Sequence, residues 1–474
     1  MTNPSPRKLL QHTAGLAIRY RESLGRAGQG PQCDYRDLLA AFDVPMPEEG
    51  CEGRQAIDTL VSLSEPGLNT MCGSRFFGWV IGGSHPVGVA ADWLTGAWGQ
   101  NAGNHEAAPA ASAAETVAAR WLLDVLDLPR ASSVGFVTGA TIANFVCLAA
   151  ARGEVLRRVG WDVEANGLFG APPISVVIGD DAHATVFSAL KFLGLGHDRV
   201  IRVATDRQGR MAPTEAAVAI GRLDGPAIVI LQAGQINTGG FDDFAPLIAA
   251  AHEAGAWVHI DGAFGLWART SPRHAELAAG AEDADSWATD GHKWLQTPYD
   301  CGYAIVRHEE AHRRAMAITA SYLPAAEEGE RNPSHYVPEL SRRARGFATW
   351  AMLKHLGRHG IADMVDRHCR AARLIADRLQ TEDGVAVLND VQLNQVIVRF
   401  GADGSDDVAD RLTTATIDRI RQEAVLFAGG AVWRGRNVMR ISVISWETTE
   451  TEALLAAEAI VSAWQAVREQ ARVA

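Results

Sequence analysis

Two groups carry the clearest chemistry in this chain, a lysine amine and a carboxylate at the ends of successive elements. Lys293 stands in Asp290-Gly291-His292-Lys293-Trp294-Leu295, and Asp261 closes the apolar run Ala256-Trp257-Val258-His259-Ile260 ahead of Gly262 and Ala263. An amine so placed can form a Schiff base with an aldehyde cofactor. A carboxylate beyond a strand end can pair with a pyridinium nitrogen and keep it protonated. Together they suit pyridoxal 5'-phosphate (PLP). The plain alternative is a surface lysine and a helix-capping aspartate.

Other residues add to the pair. Thr138-Gly139-Ala140-Thr141-Ile142-Ala143-Asn144 joins an apolar run to a helical one. Its small residues let backbone amides approach a phosphate, the helix start favours negative charge, and Thr141 offers a hydroxyl. An ordinary capped turn would look the same. His183 follows the run Ile174 to Ile178 and could stack on a flat ring and move protons, or be a loop histidine. Asp180 and Asp181 read as caps. Asn237 or Thr238 could reach the cofactor's phenolic oxygen, with Thr238 and Asp242 as helix caps the alternative. Gly262 and Ala263 leave room for a planar ring, and His292 could bond the phosphate. No Walker lysine follows the turn and no GxGxxG is present, which argues against a nicotinamide oxidoreductase.

These groups need a frame that sets them at strand ends. From about residue 110 short apolar runs alternate with helical spacing: 134–137, 174–178, 200–203, 227–231 and 257–260 as strands, Ala113 to Leu126 and the stretch through Arg152 as helices. That pattern predicts an α/β chain with a mostly parallel sheet covered on both faces, and ligands bind beyond the carboxyl ends of such strands. Residues 5–24 and 34–43 read as helices of an N-terminal arm, followed by a linker from Pro45 to Gly53. Residues 320–340 read as a mobile polar loop. Beyond them come a helical stretch (346–380), strands at 394–400 and 438–444, and a terminal helix (450–470). The expected division is an arm (1–65), a large cofactor-binding domain (66–345) and a small α+β domain (346–474).

Composition sets bounds. The chain has 474 residues, 47% hydrophobic and 21% charged, as expected of a globular enzyme. A net charge of −12 disfavours nucleic acid and an anionic membrane surface. Six cysteines without a CxxC pair predict neither a metal site nor a disulfide framework. With no apolar span and no apolar signal core near Met1, a cytoplasmic location is expected.

In order and spacing, these motifs resemble the group II PLP-dependent decarboxylases, the aromatic-amino-acid and glutamate decarboxylase-like family of fold type I (aspartate-aminotransferase-like). Arg75-Phe76-Phe77-Gly78, Gln100-Asn101-Ala102-Gly103, Asp180-Asp181-Ala182-His183, Asn237-Thr238-Gly239, Pro298-Tyr299-Asp300-Cys301-Gly302 and Ser341-Arg342-Arg343-Ala344-Arg345 add to the resemblance. It implies Lys293 as the Schiff-base lysine, Asp261 as pyridinium partner and His183 as ring-stacking base. Gly139, Ala140, Thr141 and His292 would hold the phosphate, with Asn237, Thr238 and Ala263 also at the cofactor. Phe76, Phe77, Asn101 and Arg440 would meet the substrate, Arg440 binding a carboxylate. It also implies a homodimer with the active site at the subunit interface.

There are departures from the family pattern. Ile142 replaces an acid in the phosphate turn, and Gln235 stands where threonine is usual. A loop tyrosine protonates the cofactor-bound carbanion in decarboxylating members. Here Tyr322 and Tyr336 are the candidates, and neither aligns cleanly. The expected reaction is removal of the α-carboxylate of an L-amino acid, with aromatic substrates among the candidates, to give an amine and CO2. An aldehyde synthase, an aminotransferase, a carbon–carbon lyase or a non-catalytic binding protein of the same fold are the alternatives.

Overall fold

The computed structural model describes residues 6–318 and 330–473. Runs of branched and small apolar residues build the central sheet: β1 (Ser133–Val137), β2 (Ser175–Gly179), β3 (Ile201–Val203), β4 (Ala227–Gln232), β5 (Trp257–Asp261), β6 (Ser286–Asp290) and β7 (Gly302–Val306), in the order β1-β7-β6-β5-β4-β2-β3. The pairs joining β2 through β6 are parallel, and β7 runs antiparallel to both β1 and β6. The central strands are buried on both faces. On β4, Ile228 and Ile230 join the core beneath helices Ala140–Arg157, Ala184–Phe192 and Glu309–Met316. Val229 and Leu231 face the core beneath Pro109–Val125, Phe244–Glu253 and Gly346–Gln380.

A second, antiparallel sheet has the order β10-β11-β9-β8, from β8 (Val385–Val387), β9 (Gln395–Phe400), β10 (Gly429–Trp433) and β11 (Arg436–Ser442). The helices Asp406–Glu423 and Glu450–Val473 cover it. The segment Arg75 to Phe77 lies within the span expected for the large domain, yet it pairs here. Phe77 N donates to Phe427 O at 2.8 Å, and Ser442 N donates to Phe77 O at 3.0 Å.

Several elements differ from expectation. The helix expected to reach Arg152 runs to Arg157, and the 346–380 stretch is interrupted at Gly357, whose φ of 58° and ψ of −178° are not helical. Asp180 and Asp181 cap no helix, because His183 holds the cap position of Ala184–Phe192. Thr238 and Asp242 do not cap the helix Phe244–Glu253, whose cap position is Asp243. The expected mobile loop is packed where described: Pro333, Ser334 and Tyr336 are buried in a short turn. Tyr322 lies outside the described residues. The linker after Pro45 leads into an unforeseen helix, Gly53–Ser64.

Candidate active site

Asp261 ends β5, and Lys293 follows the end of β6 by one turn. Parallel pairing of these neighbours sets both at one edge of the sheet. Trp257, His259 and Asp261 share the face of β5 beneath helix Ala140–Arg157. Nε2 of His259 lies 2.8 Å from Oδ1 of Asn144, which keys that helix to the strand. The helix begins at the Thr138 to Thr141 turn, so its free amides point over the same edge.

A cavity of about 310 Å³ opens there, and Thr138, Gly139, Ala140, Thr141, His183, Asp261, Ala263, Asp290, His292 and Lys293 line it. Gln232, Gly234, Ile236, Phe264, Thr185 and Tyr299 complete the walls. Its size suits one ring with a phosphate arm and a small substrate. A Cβ at Gly139 would sit 3.0 Å from Cε1 of His292 and 3.3 Å from Oδ1 of Asp290, so a side chain there would close the turn.

His183 sits at the helix cap. Its Nδ1 accepts the Thr185 amide at 3.3 Å and lies 2.7 Å from Oγ1 of Thr185, which leaves the ring hydrogen on Nε2. Burial lowers its pKa. Asp261 opposes that shift, and Lys293 and Arg440 reinforce it, so the ring is held neutral. Burial pushes the Asp261 carboxyl up, while His183, Lys293 and the Ala263 amide (3.2 Å from Oδ1) pull it down. A protonated ring nitrogen would give this buried acid an ionic partner.

Lys293 is not an isolated amine. Nζ lies 3.0 Å from Oδ2 of Asp290 and 5.8 Å from the centre of the Phe264 ring. Its turn is fixed from behind by the buried side chain of Gln296. The amide nitrogen of that side chain donates to the carbonyls of Lys293 (2.9 Å) and Ile444 (2.7 Å), and its oxygen accepts the Gly83 amide at 2.7 Å. Nδ1 of His292 accepts the Cys301 amide at 3.2 Å, so Nε2 carries the hydrogen. The His292 ring stacks on Tyr299 at 4.1 Å.

The residues therefore fit PLP. The helix start, Thr141 and His292 offer donors that would suit a phosphate, His183 and Ala263 stand where they would flank a ring, Asp261 offers an acid for its nitrogen, and Lys293 offers an amine. Sequence reasoning missed Asp290, Gln296, Phe264 and Tyr299 as site residues. An acid three residues before the lysine at a strand end was the available signal for Asp290. Gln296 and Tyr299 lie between β6 and β7, and the partners of Gln296 at Gly83 and Ile444 are too remote in the chain for spacing to reveal.

Other expected site residues lie elsewhere. The Thr238 hydroxyl donates to the carbonyl of Gln208 and does not line the cavity. Asn237 meets Arg440, whose Nη1 is 3.3 Å from Oδ1 of Asn237. Phe76 stacks on Phe427 at 4.7 Å, and Phe77 lies in the core beneath the small sheet. Oδ1 of Asn101 accepts the Arg342 amide at 2.9 Å. The Tyr336 hydroxyl donates to Glu309, away from the cavity.

Comparison with known proteins places this geometry. The family described as "Pyridoxal-dependent decarboxylase conserved domain" matches residues 36–401. The chain is 27% identical over 457 residues to an aromatic-L-amino-acid decarboxylase of Bacillus atrophaeus, covering 94% of this chain and 93% of the relative. It is 24% identical over 427 residues to cysteine sulfinic acid decarboxylase of Mus musculus, covering 85% and 84%. A crystal structure of Oryza sativa TDC with PLP and tryptamine superposes with a TM-score of 0.90 at 21% identity, covering 98% of this chain and 99% of that one.

Proposed function

This chain is a PLP-dependent carboxy-lyase of the pyridoxal-dependent decarboxylase family, and from that premise we propose that it removes the α-carboxylate of an L-amino acid with an aromatic or other uncharged side chain, giving an amine and CO2. One observation carries the substrate class. Among the described residues, Lys293 is the only lysine or arginine lining the cavity, and the walls beside it are Ile236, Phe264 and Tyr299. Arg440 bonds Asn237, the residue after Ile236, and has its pKa lowered by burial and no acidic partner among the described residues. One guanidinium suits one substrate carboxylate. An acidic side chain would bring a second without a cation from this chain to meet it.

When bound, PLP supplies an electron sink for the pair left by CO2. Asp261 would pair with the ring nitrogen once that nitrogen is protonated. Gly139, Ala140, Thr141 and His292 would hold the phosphate, and Ala263 would leave space for the ring. Neutral His183, with its hydrogen on Nε2, would offer a hydrogen bond on the cavity side, and it would donate a proton only after taking one up as imidazolium. Phe264 supplies an apolar wall beside the amine of Lys293, its ring centre 5.8 Å from Nζ. A second reading, oxygen-dependent conversion to an aldehyde, draws support from Tyr336, whose hydroxyl is engaged by Glu309.

We further propose a homodimer. No residue of the helices Pro6–Ser23, Tyr35–Phe42 and Gly53–Ser64 is buried, and Leu10, Tyr35, Leu39 and Met46 are exposed. An apolar groove of about 470 Å³ lies between Leu94, Trp98, Val117, Phe347 and Trp350. A second copy would cover such surfaces. Among the described residues no helix is long and apolar enough to cross a membrane, and all six cysteines are free, which suits the reducing cytoplasm.

The test is a panel of L-amino acids with CO2, amine, aldehyde and peroxide recorded together. CO2 with an equal amount of amine, fastest from an aromatic substrate, is expected. Faster turnover of glutamate or cysteine sulfinate would move the substrate to the acidic class. Aldehyde with peroxide would select the second reading.

A further inference from the structure

The roles above leave Asp290 unused. Its side chain is 3% exposed, with Oδ2 at 3.0 Å from Nζ of Lys293. Oδ1 accepts the Ala140 amide at 2.6 Å and stands 3.6 Å from Nε2 of His292. Ala140 is the first residue of the helix Ala140–Arg157. Its amide and His292 are the donors that a phosphate at this turn would use. A buried carboxylate already holds one and faces the other.

The charge count points the same way. Among the described residues lining the cavity, Asp261 and Asp290 stand against Lys293, while burial lowers the pKa of both His183 and His292. An arriving phosphate adds negative charge beside Asp290, and this chain lines the cavity with no further lysine or arginine to balance it. We propose that Asp290 sets the strength of cofactor binding: it competes with the phosphate for the helix start, so PLP is retained chiefly through Lys293 rather than through its phosphate. This rests on the phosphate lying at the 138–141 turn. Thr141→Val tests that placement separately, since it weakens PLP binding only if the placement is right.

Holoenzyme and its Asp290→Asn variant would be dialysed to equilibrium against graded PLP, and against graded pyridoxal, which lacks the phosphate. This substitution keeps the side chain's shape and removes its charge. The variant is expected to bind PLP about tenfold more tightly, with pyridoxal affinity shifting by less than about threefold. Equal or weaker PLP binding would overturn the proposal, as would a parallel gain for pyridoxal, which would place the effect on the amine. Should the variant not fold, the unaltered protein still decides. Inorganic phosphate at about 10 mM should leave PLP binding unchanged, whereas competition with PLP at or below that concentration would overturn the proposal.

Discussion

Nη2 of Arg434, at the turn between β10 and β11, donates to Oδ2 of Asp181 at 2.9 Å, two residues ahead of His183. The same nitrogen reaches the carbonyl (3.2 Å) and the hydroxyl (3.0 Å) of Thr205. The small sheet is thus fastened to the loop that carries His183. On the same side, β11 brings Arg440 to Asn237. Removing this latch should loosen the substrate side of the site and spare the cofactor side. Arg434 is 41% exposed, so the pair is worth at most about 1 kcal/mol. Steady-state kinetics of Arg434→Ala should show KM raised by up to about fivefold and kcat within about twofold. A matching fall in kcat with loss of bound PLP would contradict this.

Arg342 and Glu115 form a buried ion pair at 2.8 Å, each side chain 1% exposed. Arg342 also donates to the carbonyls of Ala102 (3.0 Å) and Phe136 (2.8 Å), the latter on β1. Arg342→Met would leave Glu115 charged and buried. Denaturant titration should show a loss of about 3–5 kcal/mol. A loss under about 1 kcal/mol would mean that Arg331, 3.6 Å from Glu115, takes over.

Acid should destabilise the fold before it reaches the carboxylates. Burial lowers the pKa of His259, His312 and His368 to about 3. The unfolded chain binds a proton at each near pH 6.5, and the folded chain does not. Their contribution is therefore complete above about pH 6.5 and is lost as pH falls toward 3. By pH 5 each costs about 2 kcal/mol. Denaturation at pH 7.5 and 5.0 would reveal the loss. Equal stability at both would contradict the neutral, buried state.

Burial pushes the Tyr336 hydroxyl up to about 12, and Glu309 holds it. Tyr336→Phe should cost about 1–2 kcal/mol of stability and leave the ratio of amine to aldehyde unchanged. A switch of product to aldehyde would show that Tyr336 reaches the substrate after all.

The sequence carried much of this site because its strongest signals are local. Asp261 and Lys293 end or follow strands, and the small residues of the 138–141 turn mark a close approach to the helix start. Parallel strands were legible where apolar runs were continuous, as at Ala227 to Leu231. They were harder to read at β6, where Ser286, Thr289 and Asp290 interrupt the run. Gln296 was hidden because two of its partners, Gly83 and Ile444, are remote in the chain. Phe76 and Phe77 looked like pocket residues because motif order gives no depth, and packing against Phe427 and the small sheet decided their place.

Lys293 is proposed as the amine that takes up PLP. Borohydride reduction of the holoenzyme, followed by peptide mapping, tests it most directly. The expected result is a pyridoxyl label on Lys293 alone, lost in Lys293→Ala together with the visible absorbance band. A label on Lys8, Lys191 or Lys354, the other lysines of the chain, or no label at saturating PLP, would contradict it.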